Sequence, residues 1–420
     1  EGCLMSRFSL LFQLAIRNAR RNPRRTFLTA ATVLIGTGLT TFVLTFLNGY
    51  MGDTLEAMAN NHGHVRVVTE AFAEREILQP LYENIADVEP LRAAIAADPH
   101  VTQVEPVIRT GVVLATGEEI GEDFGLLVGA GPGLFEKQLH LNDYVIAGTW
   151  FTGTEEEVVI GRKLANDIGA QVGQEILVLG QTQYGSMSPM SPKVVGIVAH
   201  DGMTDARLYM NLESARWLVD IPEGSIELMV FADDHDPAVV GPLVDRLRAL
   251  PALAGYNLRG WHQEPFAAQA FPILEGINII IAGLMMFVMV LAIFNTMTMS
   301  VLERTGEIGV MRAMGQTRVG AVLLFLLESV VIGAIGGVAG VGVGALGGLY
   351  FQVNGVSIGQ DMIDEAGANF PITATIYAQV SAEVLLQCLL LGLVTAAVGA
   401  LWPSLRAASI EPSSAMRARR

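Results

Sequence analysis

The chain contains few of the residues on which metal sites, disulfides and nucleic-acid binding depend. It has two cysteines, Cys3 and Cys388, and three lysines, Lys137, Lys163 and Lys193, among 420 residues. Two cysteines give no zinc-type cluster, and their positions predict no disulfide within the long region between the first two apolar segments. The formal net charge of −16 argues against nucleic acid as a partner.

Motifs for phosphate binding and for catalysis are also missing from the sequence. No Gly-x-x-x-x-Gly-Lys-Ser/Thr loop and no Gly-x-Ser-x-Gly nucleophile motif occurs. His62 and His64 would share a strand face but are too few for a metal site, and Asp233, Asp234 and Asp236 lack the glycine and distal glutamate of a calcium loop. We therefore predict no catalytic residue, no metal site and no directly bound cofactor. If ATP and magnesium drive the protein, another subunit binds them.

Long apolar segments, in contrast, are abundant. Hydrophobic residues make up 51% of the chain and are concentrated in four blocks, each long enough to cross a hydrocarbon layer of about 30 Å as a helix. The predicted fold is an integral membrane α-helical protein with four transmembrane helices and a large mixed α+β domain between helices 1 and 2. The predicted segments are a leader at 1–25, helices at 26–50, 271–299, 319–350 and 384–402, the large domain at 51–270, connections at 300–318 and 351–383, and a tail at 403–420.

The positions of arginine predict the orientation of these helices. Arginines precede the first helix, lie between the second and third, and follow the fourth, whereas 351–383 has no Lys or Arg and carries Asp361, Asp364 and Glu365. The positive-inside rule then places both termini and the 300–318 segment in the cytoplasm. The large domain lies outside and holds 32 acidic against 13 basic residues. That acidity is typical of a solvated surface, and attraction of a basic partner is the alternative.

The leader predicts a helix that lies on the membrane surface. Phe8, Leu11, Phe12 and Ala15 recur at i, i+3, i+4 and i+7, which gives one apolar face. The following apolar segment is longer than the roughly 7–15-residue core of a signal peptide, and no small-x-small cleavage site follows it. We interpret it as a retained anchor.

Alternation and periodicity in the large domain predict mixed α and β structure. A segment at 180–192, rich in Gly, Ser, Met and Pro, is typical of a mobile loop or a hairpin tip. Residues 157–179 predict a strand, helix, strand unit. Strands are predicted at 64–68, 104–115, 124–129, 157–160, 173–179, 193–199, 227–231 and 256–261, and helices at 88–97, 162–168 and 237–250.

The third predicted membrane helix carries two unusual features. Gly336, Gly340, Gly344 and Gly348 are spaced by four, so they lie on one face and allow another helix to approach closely. The partner is either a helix of the same chain or a second copy across a dimer seam or sliding surface. Glu328 is costly at mid-bilayer depth, so we expect it to be hydrogen-bonded within the bundle or to lie near the cytoplasmic interface, with proton coupling as a further alternative.

The 300–318 segment, which we call the charged segment, is the most informative part of the chain. Glu303, Arg304, Glu307 and Arg312 fall within a short predicted helix between two apolar segments, and Gly315 follows. Such a segment is typical of a docking site for a partner. The alternative is that the charges simply anchor the segment at the membrane interface.

The charged segment and several other stretches match a known family. The matching stretches are Ala15-Ile16-Arg17-Asn18, Gly63-His64-Val65, Gly161-Arg162-Lys163-Leu164-Ala165, Glu303-Arg304-Thr305-Gly306-Glu307-Ile308-Gly309, Arg312-Ala313-Met314-Gly315 and Glu411-Pro412. With the order of the membrane helices, they resemble the FtsX/MacB/LolC-LolE superfamily of ABC transporter permeases. The resemblance implies a bacterial inner-membrane location and a periplasmic large domain. It also implies mechanotransmission, in which a cytoplasmic ABC ATPase dimer binds ATP and Mg and moves the permease without substrate crossing the bilayer.

The resemblance also implies roles for particular residues and partners. Glu303, Arg304, Glu307, Arg312 and Gly315 are predicted to couple the permease to the ATPase dimer. Because that dimer presents two docking clefts, we expect a second permease copy or a related permease.

Within the family, the long outer domain is most similar to the LolC/LolE type, which releases lipoproteins. The short leader predicts no fused ATPase. Lipoprotein release would involve membrane lipid, a lipoprotein substrate and a periplasmic carrier; the alternatives are MacB-like efflux with a periplasmic adaptor and FtsX-like signalling to a cell-wall hydrolase. Family analogy predicts that an acyl chain would pass between helices 1 and 2 of facing subunits. The residues predicted to line this path are Phe46, Leu47, Tyr50, Phe271, Ile273 and Leu274.

Overall fold

The computed structural model describes Gln13, Arg17 and residues 23–116, 122–151, 156–357 and 375–409. Two compact units are formed. The first, the helical unit, comprises Glu1–Gly52, Ile273–Val356 and Ile376–Arg420, and the second, the soluble domain, comprises Asp53–Pro272 and Ser357–Thr375. Some sequence predictions lie outside the described residues: the leader positions Phe8, Leu11, Phe12 and Ala15, the acidic residues Asp361, Asp364 and Glu365, and Glu411-Pro412.

The helices range from one turn to forty residues. In chain order they are α1 (Pro23–His62), α2 (Glu70–Glu74), α3 (Val88–Ala96), α4 (Arg162–Ile168), α5 (Gly202–Asp205), α6 (Leu212–Val219), α7 (Pro237–Arg248), α8 (Pro265–Glu303), α9 (Thr305–Ala313), α10 (Arg318–Asn354) and α11 (Ala382–Ser409). Short 3-10 or π turns occur at Glu76–Leu78, Gly133–Gln138, Leu141–Tyr144, Pro251–Leu253 and Trp261–Gln263.

Four of these helices, α1, α8, α10 and α11, are long and apolar enough to cross a membrane. Each is longer than its predicted span. The difference is greatest for α1, which continues to His62 instead of ending near residue 50, and α8 begins at Pro265 instead of residue 271. Apolar residues define the predicted spans, whereas backbone hydrogen bonds continue each helix into polar sequence.

The strands, in chain order, are β1 (Val65–Thr69), β2 (Val101–Ala115), β3 (Glu122–Ala130), β4 (Val145–Gly148), β5 (Glu157–Gly161), β6 (Leu177–Gln181), β7 (Met187–Met190), β8 (Lys193–Val198), β9 (Arg207–Asn211), β10 (Glu227–Ala232), β11 (Tyr256–Gly260), β12 (Val356–Ser357) and β13 (Thr375–Ile376). The first eleven form one mixed sheet of the soluble domain in the order β11-β1-β10-β2-β3-β9-β5-β8-β4, with β6 paired to β2 and β7.

The long strand β2 joins the two ends of this sheet. Its first half pairs with β10, up to Val107 opposite Glu227, and its second half pairs with β3, starting with Ile108 opposite Gly129. Helices α3 and α7 contribute apolar residues to the core beside β1, β10 and β11, and α4 and α6 contribute to the core beside β2 and β3. Strand β2 therefore links the strands on the β10 side of the sheet to those on the β3 side.

Two sequence predictions for this domain are confirmed. Residues 157–179 contain a strand, a helix and a strand, β5, α4 and β6, although β6 begins at Leu177 and pairs with β2 and β7. The 180–192 segment includes the tip of the hairpin β6–β7 and also contains β7. Strands β4 and β9 and helix α6 were not predicted; each is at most eight residues long.

The glycine stripe of α10 packs against α1 within the helical unit. A Cβ atom at Gly336, Gly340 or Gly344 would lie 2.5–2.6 Å from a carbonyl oxygen of α1, and one at Gly348 would lie 2.9 Å from the Thr45 hydroxyl. Backbones approach this closely only where side chains are absent. The glycine face of α10 therefore packs against a helix of the same chain, which is one of the two partners that the sequence allowed.

Candidate functional site

The charged segment folds as the short helix α9 between α8 and α10. Gly315 ends it in the left-handed region with φ of +99°, which a glycine adopts without strain. Thr317 then starts α10, because its hydroxyl accepts a hydrogen bond from the Gly320 amide at 3.1 Å. Gly315 therefore has a backbone role at the turn.

Helix α9 has an inner and an outer face. Ile308 is 1% exposed and packs in one cluster with Val301, Phe325 and Ala407, which belong to α8, α10 and α11. On the outer side, Glu307 and Val310 of α9 are exposed, as are Met314, directly after the helix, and Glu303, the last residue of α8. These four positions, which we call the outer face, are spaced by four, three and four residues.

Arg304 lies on the inner side and forms a buried ion pair with Glu328 of α10. One terminal nitrogen of its guanidinium donates to both carboxylate oxygens, at 3.1 and 3.2 Å, and Glu328 is fully buried. Glu307 approaches the same guanidinium at 3.5 Å from the exposed side. The pairing explains how an acidic residue is tolerated in α10, since a charge in an apolar surrounding is stable when it is paired and hydrogen-bonded.

Arg312 holds the other end of α9. Its guanidinium donates a hydrogen bond to the carbonyl oxygen of Ala408, in the last turn of α11. A cation is favoured at this position, because the carbonyls at a helix C-terminus carry partial negative charge. With the Arg304 pair, this contact fixes α9 to two membrane-length helices.

The five residues predicted to contact a partner thus divide into two groups. Glu303, Glu307 and Gly315 are exposed, whereas Arg304 is buried and Arg312 is partly buried. The structure adds Val310 and Met314 to the exposed face, where they are 44% and 76% exposed. Their spacing from Glu303 and Glu307 was the signal that would have identified them.

The residues predicted to line an acyl-chain path divide between the two units. Phe271 packs on Trp261 in the soluble domain, with ring centroids 5.9 Å apart. The other five belong to the helical unit. There, Phe46 contacts Phe42 and Phe351 with centroids 5.4 and 5.5 Å apart. Leu47 packs beside a buried cluster, Ile273 is 62% exposed, and Tyr50 and Leu274 are partly buried.

A buried ionic network, which the sequence did not predict, lies on strands β1, β10 and β2 of the soluble domain's sheet. Strand β10 lies between β1 and β2, so its Glu227 is flanked by Arg66 and Arg109. Arg66 also pairs with Glu76 and, at 3.5 Å, with Glu264. Burial alone would raise the pKa of Glu227, but Arg109 and Arg66 outweigh it and lower the pKa to about 2. Glu227 is therefore ionised at neutral pH.

His62 and His64, the two histidines that are two residues apart, contact backbone groups. His64 Nδ1 accepts a hydrogen bond from the Ala232 amide at 3.0 Å, and His62 Nδ1 lies 3.3 Å from the Met58 carbonyl oxygen. Burial, with Arg109 second, lowers the pKa of His62 to about 3, so it is neutral. Among the described residues, no group of three or more His, Cys, Asp or Glu side chains is arranged to hold a metal.

Two family models match the chain. The model described as FtsX-like permease C-terminal matches residues 279–412, and the one described as MacB-like periplasmic core domain matches residues 26–249. The chain belongs to the FtsX/MacB/LolC superfamily of ABC transporter permeases. The permease thus combines four membrane-length helices with a periplasmic-type domain between the first and second, the fold expected of an inner-membrane protein.

Individual relatives are distant. The permease is 23% identical to the lipoprotein-releasing system transmembrane protein LolC of Neisseria meningitidis serogroup B, over 98% of this chain and 99% of that protein. It is 24% identical to the pyoverdine export ATP-binding/permease protein PvdT of Pseudomonas fluorescens, over 83% of this chain and 53% of that protein. The macrolide export ATP-binding/permease protein MacB 1/2 of Paracoccus denitrificans is 25% identical, over 83% and 52%. The chain spans about half the length of these two export proteins.

A comparison with solved structures gives the periplasmic region of MacB from Actinobacillus actinomycetemcomitans, which is 14% identical with a TM-score of 0.32, over 47% of this chain and 88% of that one.

Proposed function

We propose that this permease couples ATP hydrolysis by a separate cytoplasmic ABC ATPase dimer to movement of its periplasmic domain, and that this movement releases lipoproteins from the inner membrane. ATP and Mg bind to the ATPase. Both termini and α9 are cytoplasmic, as the arginine distribution favours. The permease works with a second copy or a related permease.

The arrangement of α9 carries this proposal. Its outer face offers two carboxylates and two apolar side chains, Glu303, Glu307, Val310 and Met314, a mixture suited to a protein partner. Its inner face is tied to α10 by Arg304 and to α11 by Arg312. A push on the outer face would therefore move membrane-length helices rather than only a loop.

The extent of the LolC match supports the choice of lipoproteins. The match to a LolC protein covers 98% of this chain, against 83% for PvdT and for MacB. Both the helical unit and the soluble domain fall within it, which favours a role like that of LolC. A periplasmic lipoprotein carrier would then accept the released product.

Reconstitution with and without a damaged docking face tests the coupling. The permease, with the ATPase that co-purifies with it, is placed in proteoliposomes that contain acylated lipoprotein, and the released protein is measured with ATP present. We expect Glu307→Lys to weaken ATPase binding about tenfold or more and to abolish release, because it reverses a charge at the centre of the outer face. Glu383→Lys, an exposed charge reversal at the start of α11, is the matched control.

Normal ATPase binding and release by Glu307→Lys would contradict the assignment of α9. Loss of both activities in Glu383→Lys as well would show that charge reversal acts without regard to position.

A second candidate function is export with a periplasmic adaptor. The observation that favours it is the match of residues 26–249 to a MacB-like periplasmic core domain. A photo-crosslinker at Ile273, compared with one at the exposed Leu346 of α10, separates the candidates by mass spectrometry of the trapped species. An acylated protein trapped at Ile273 supports lipoprotein release. An adaptor or small molecule supports export, and a cell-wall hydrolase supports transmembrane signalling.

A further inference from the structure

The outer end of α1 connects to the sheet through a very short link. The helix ends at His62, Gly63 turns with φ of +74°, and β1 starts at Val65. A Cβ at Gly63 would lie 2.9 Å from the Met229 side chain of β10, so the turn also lies close against the sheet. Strand β1 is an inner strand, paired on both sides by β10 and β11. Only two residues, Gly63 and His64, therefore link the helix to the sheet.

Two arginines from other strands hold the same helix end. Arg109 of β2 donates to the backbone carbonyl of Asn61 at 2.6 Å, and Arg207 of β9 donates to the side-chain oxygen of Asn61. Arg207 is 6% exposed, and the Asn61 side chain is buried with it. We call Asn61, Arg109 and Arg207 the helix clasp.

The clasp is electrostatically suited to a helix C-terminus. The last turn of α1 presents carbonyl oxygens with partial negative charge, which guanidinium groups stabilise. Arg109 is also paired with Glu227 at 3.3 Å, which links the clasp to the ionic network and so to Arg66 of β1. Strands β1, β2 and β9, spread over five positions of the sheet order, are thereby tied to one helix end.

We propose that the helix clasp makes the outer end of α1 and the sheet of the soluble domain move as one rigid body, so that Asn61, Arg109 and Arg207 are positioning residues for force transfer. This inference rests on the proposed function, in which movement passes from the membrane helices to the periplasmic domain. Met58 and Ala59 of α1 also pack in the core of the same domain. To this apolar packing, which has little directional preference, the clasp adds directional hydrogen bonds from β2 and β9.

Variants of the Asn61–Arg207 bond test the transfer of force in the full-length permease with its ATPase. We expect Arg207→Met and Asn61→Ala each to lower lipoprotein released per ATP hydrolysed about tenfold while ATP hydrolysis continues. The double variant should be no worse than either single one, since both remove the same bond. Arg207→Lys keeps the charge and one donor, so it should restore part of the coupling.

Arg162→Met is the matched control. It removes a largely buried ion pair with Asp205, at 2.6 Å, from the same domain, and neither residue belongs to the helix clasp. We expect a similar change in thermal stability but normal release per ATP. Equal loss of coupling in Arg162→Met, or normal coupling in Arg207→Met and Asn61→Ala, would overturn the proposal.

A distance measurement tests rigidity without reference to the substrate. Spin labels are attached to Glu56→Cys on α1 and Phe124→Cys on β3, both exposed positions, in a background with Cys3→Ala and Cys388→Ala. We expect the distance between the labels to be the same in the nucleotide-free and ATP-bound complexes of the otherwise native protein. In Arg207→Met it should shift or broaden when ATP binds.

The two measurements separate the two proposals. If the native complex hydrolyses ATP but releases no lipoprotein, the substrate assignment fails, and the label distance still decides the clasp. If the native label distance changes on ATP binding, the helix end is not rigidly held and the clasp proposal fails, whatever the substrate.

Discussion

Among the described residues, the helical unit and the soluble domain bury their charges in different ways. In the helical unit, Arg304 pairs with the buried Glu328 and, at 3.5 Å, with the exposed Glu307. In the soluble domain, Arg66 has Glu76, Glu227 and Glu264 as partners, and Glu227 is shared with Arg109. Arg304 thus has one buried carboxylate partner, whereas Arg66 has two, Glu227 and Glu264, besides the partly exposed Glu76. The difference predicts that the two regions respond unequally to the loss of one carboxylate.

Removal of Glu328 should have the largest effect. Glu328→Leu leaves the Arg304 guanidinium buried without its main counter-ion, so we expect the free energy of unfolding in detergent to fall by about 3–5 kcal/mol. The double variant Arg304→Met/Glu328→Leu should recover most of that loss, since apolar residues of similar volume replace the whole pair. Thermal unfolding of both proteins measures this. A double variant as unstable as the single one would mean that the charge pair is not the source of the loss.

Acid should destabilise the soluble domain by a comparable amount. The pKa of His62 falls from 6.5 to about 3 on folding and that of Glu227 from 4.5 to about 2, so in both cases the unfolded chain binds protons first. Stability is then full above pH 6.5 and is lost as the pH falls towards 2, on the order of 3 kcal/mol for Glu227 alone. Burial raises the pKa of Glu264, which opposes the trend.

Tryptophan fluorescence during acid titration measures this loss, since Trp261 lies in the core of the soluble domain. His62→Asn should remove the part of the loss that occurs between pH 6.5 and 4.5. An unchanged titration curve in His62→Asn would assign the early loss to other groups.

Removal of Glu264 should have the smallest effect. Arg66 keeps Glu76 and Glu227, so we expect Glu264→Gln to lower the free energy of unfolding by only about 1 kcal/mol. Chemical denaturation of this variant beside Glu328→Leu measures the contrast directly. Equal losses in the two proteins would remove the distinction between pair and network.

The sequence predicts the large features of this fold well because they depend on local composition. Four apolar blocks of about 20 or more residues predict four membrane-length helices, and the short helix α9 follows from its position between two of them. The acidic, mixed-pattern segment predicts the soluble domain. These predictions need no knowledge of which elements touch.

The partners of buried charges, in contrast, depend on tertiary contacts. Arg304 lies between α8 and α9 and Glu328 lies on α10, so the packing of these helices decides whether the two side chains meet. Arg66, Arg109 and Glu227 meet because β10 lies between β1 and β2, an order that alternation in the sequence does not reveal. For the same reason, Arg304 was predicted to face a partner although it faces the bundle.

The unbroken course of α1 has a mechanical consequence. Forty residues at about 1.5 Å each make a rod of about 60 Å, so a tilt of about 5° at one end displaces the other by about 5 Å. That displacement is similar to the spacing between neighbouring strands. The first helix would therefore act as a lever arm that converts a small change in its tilt into a displacement of its far end by about one strand width.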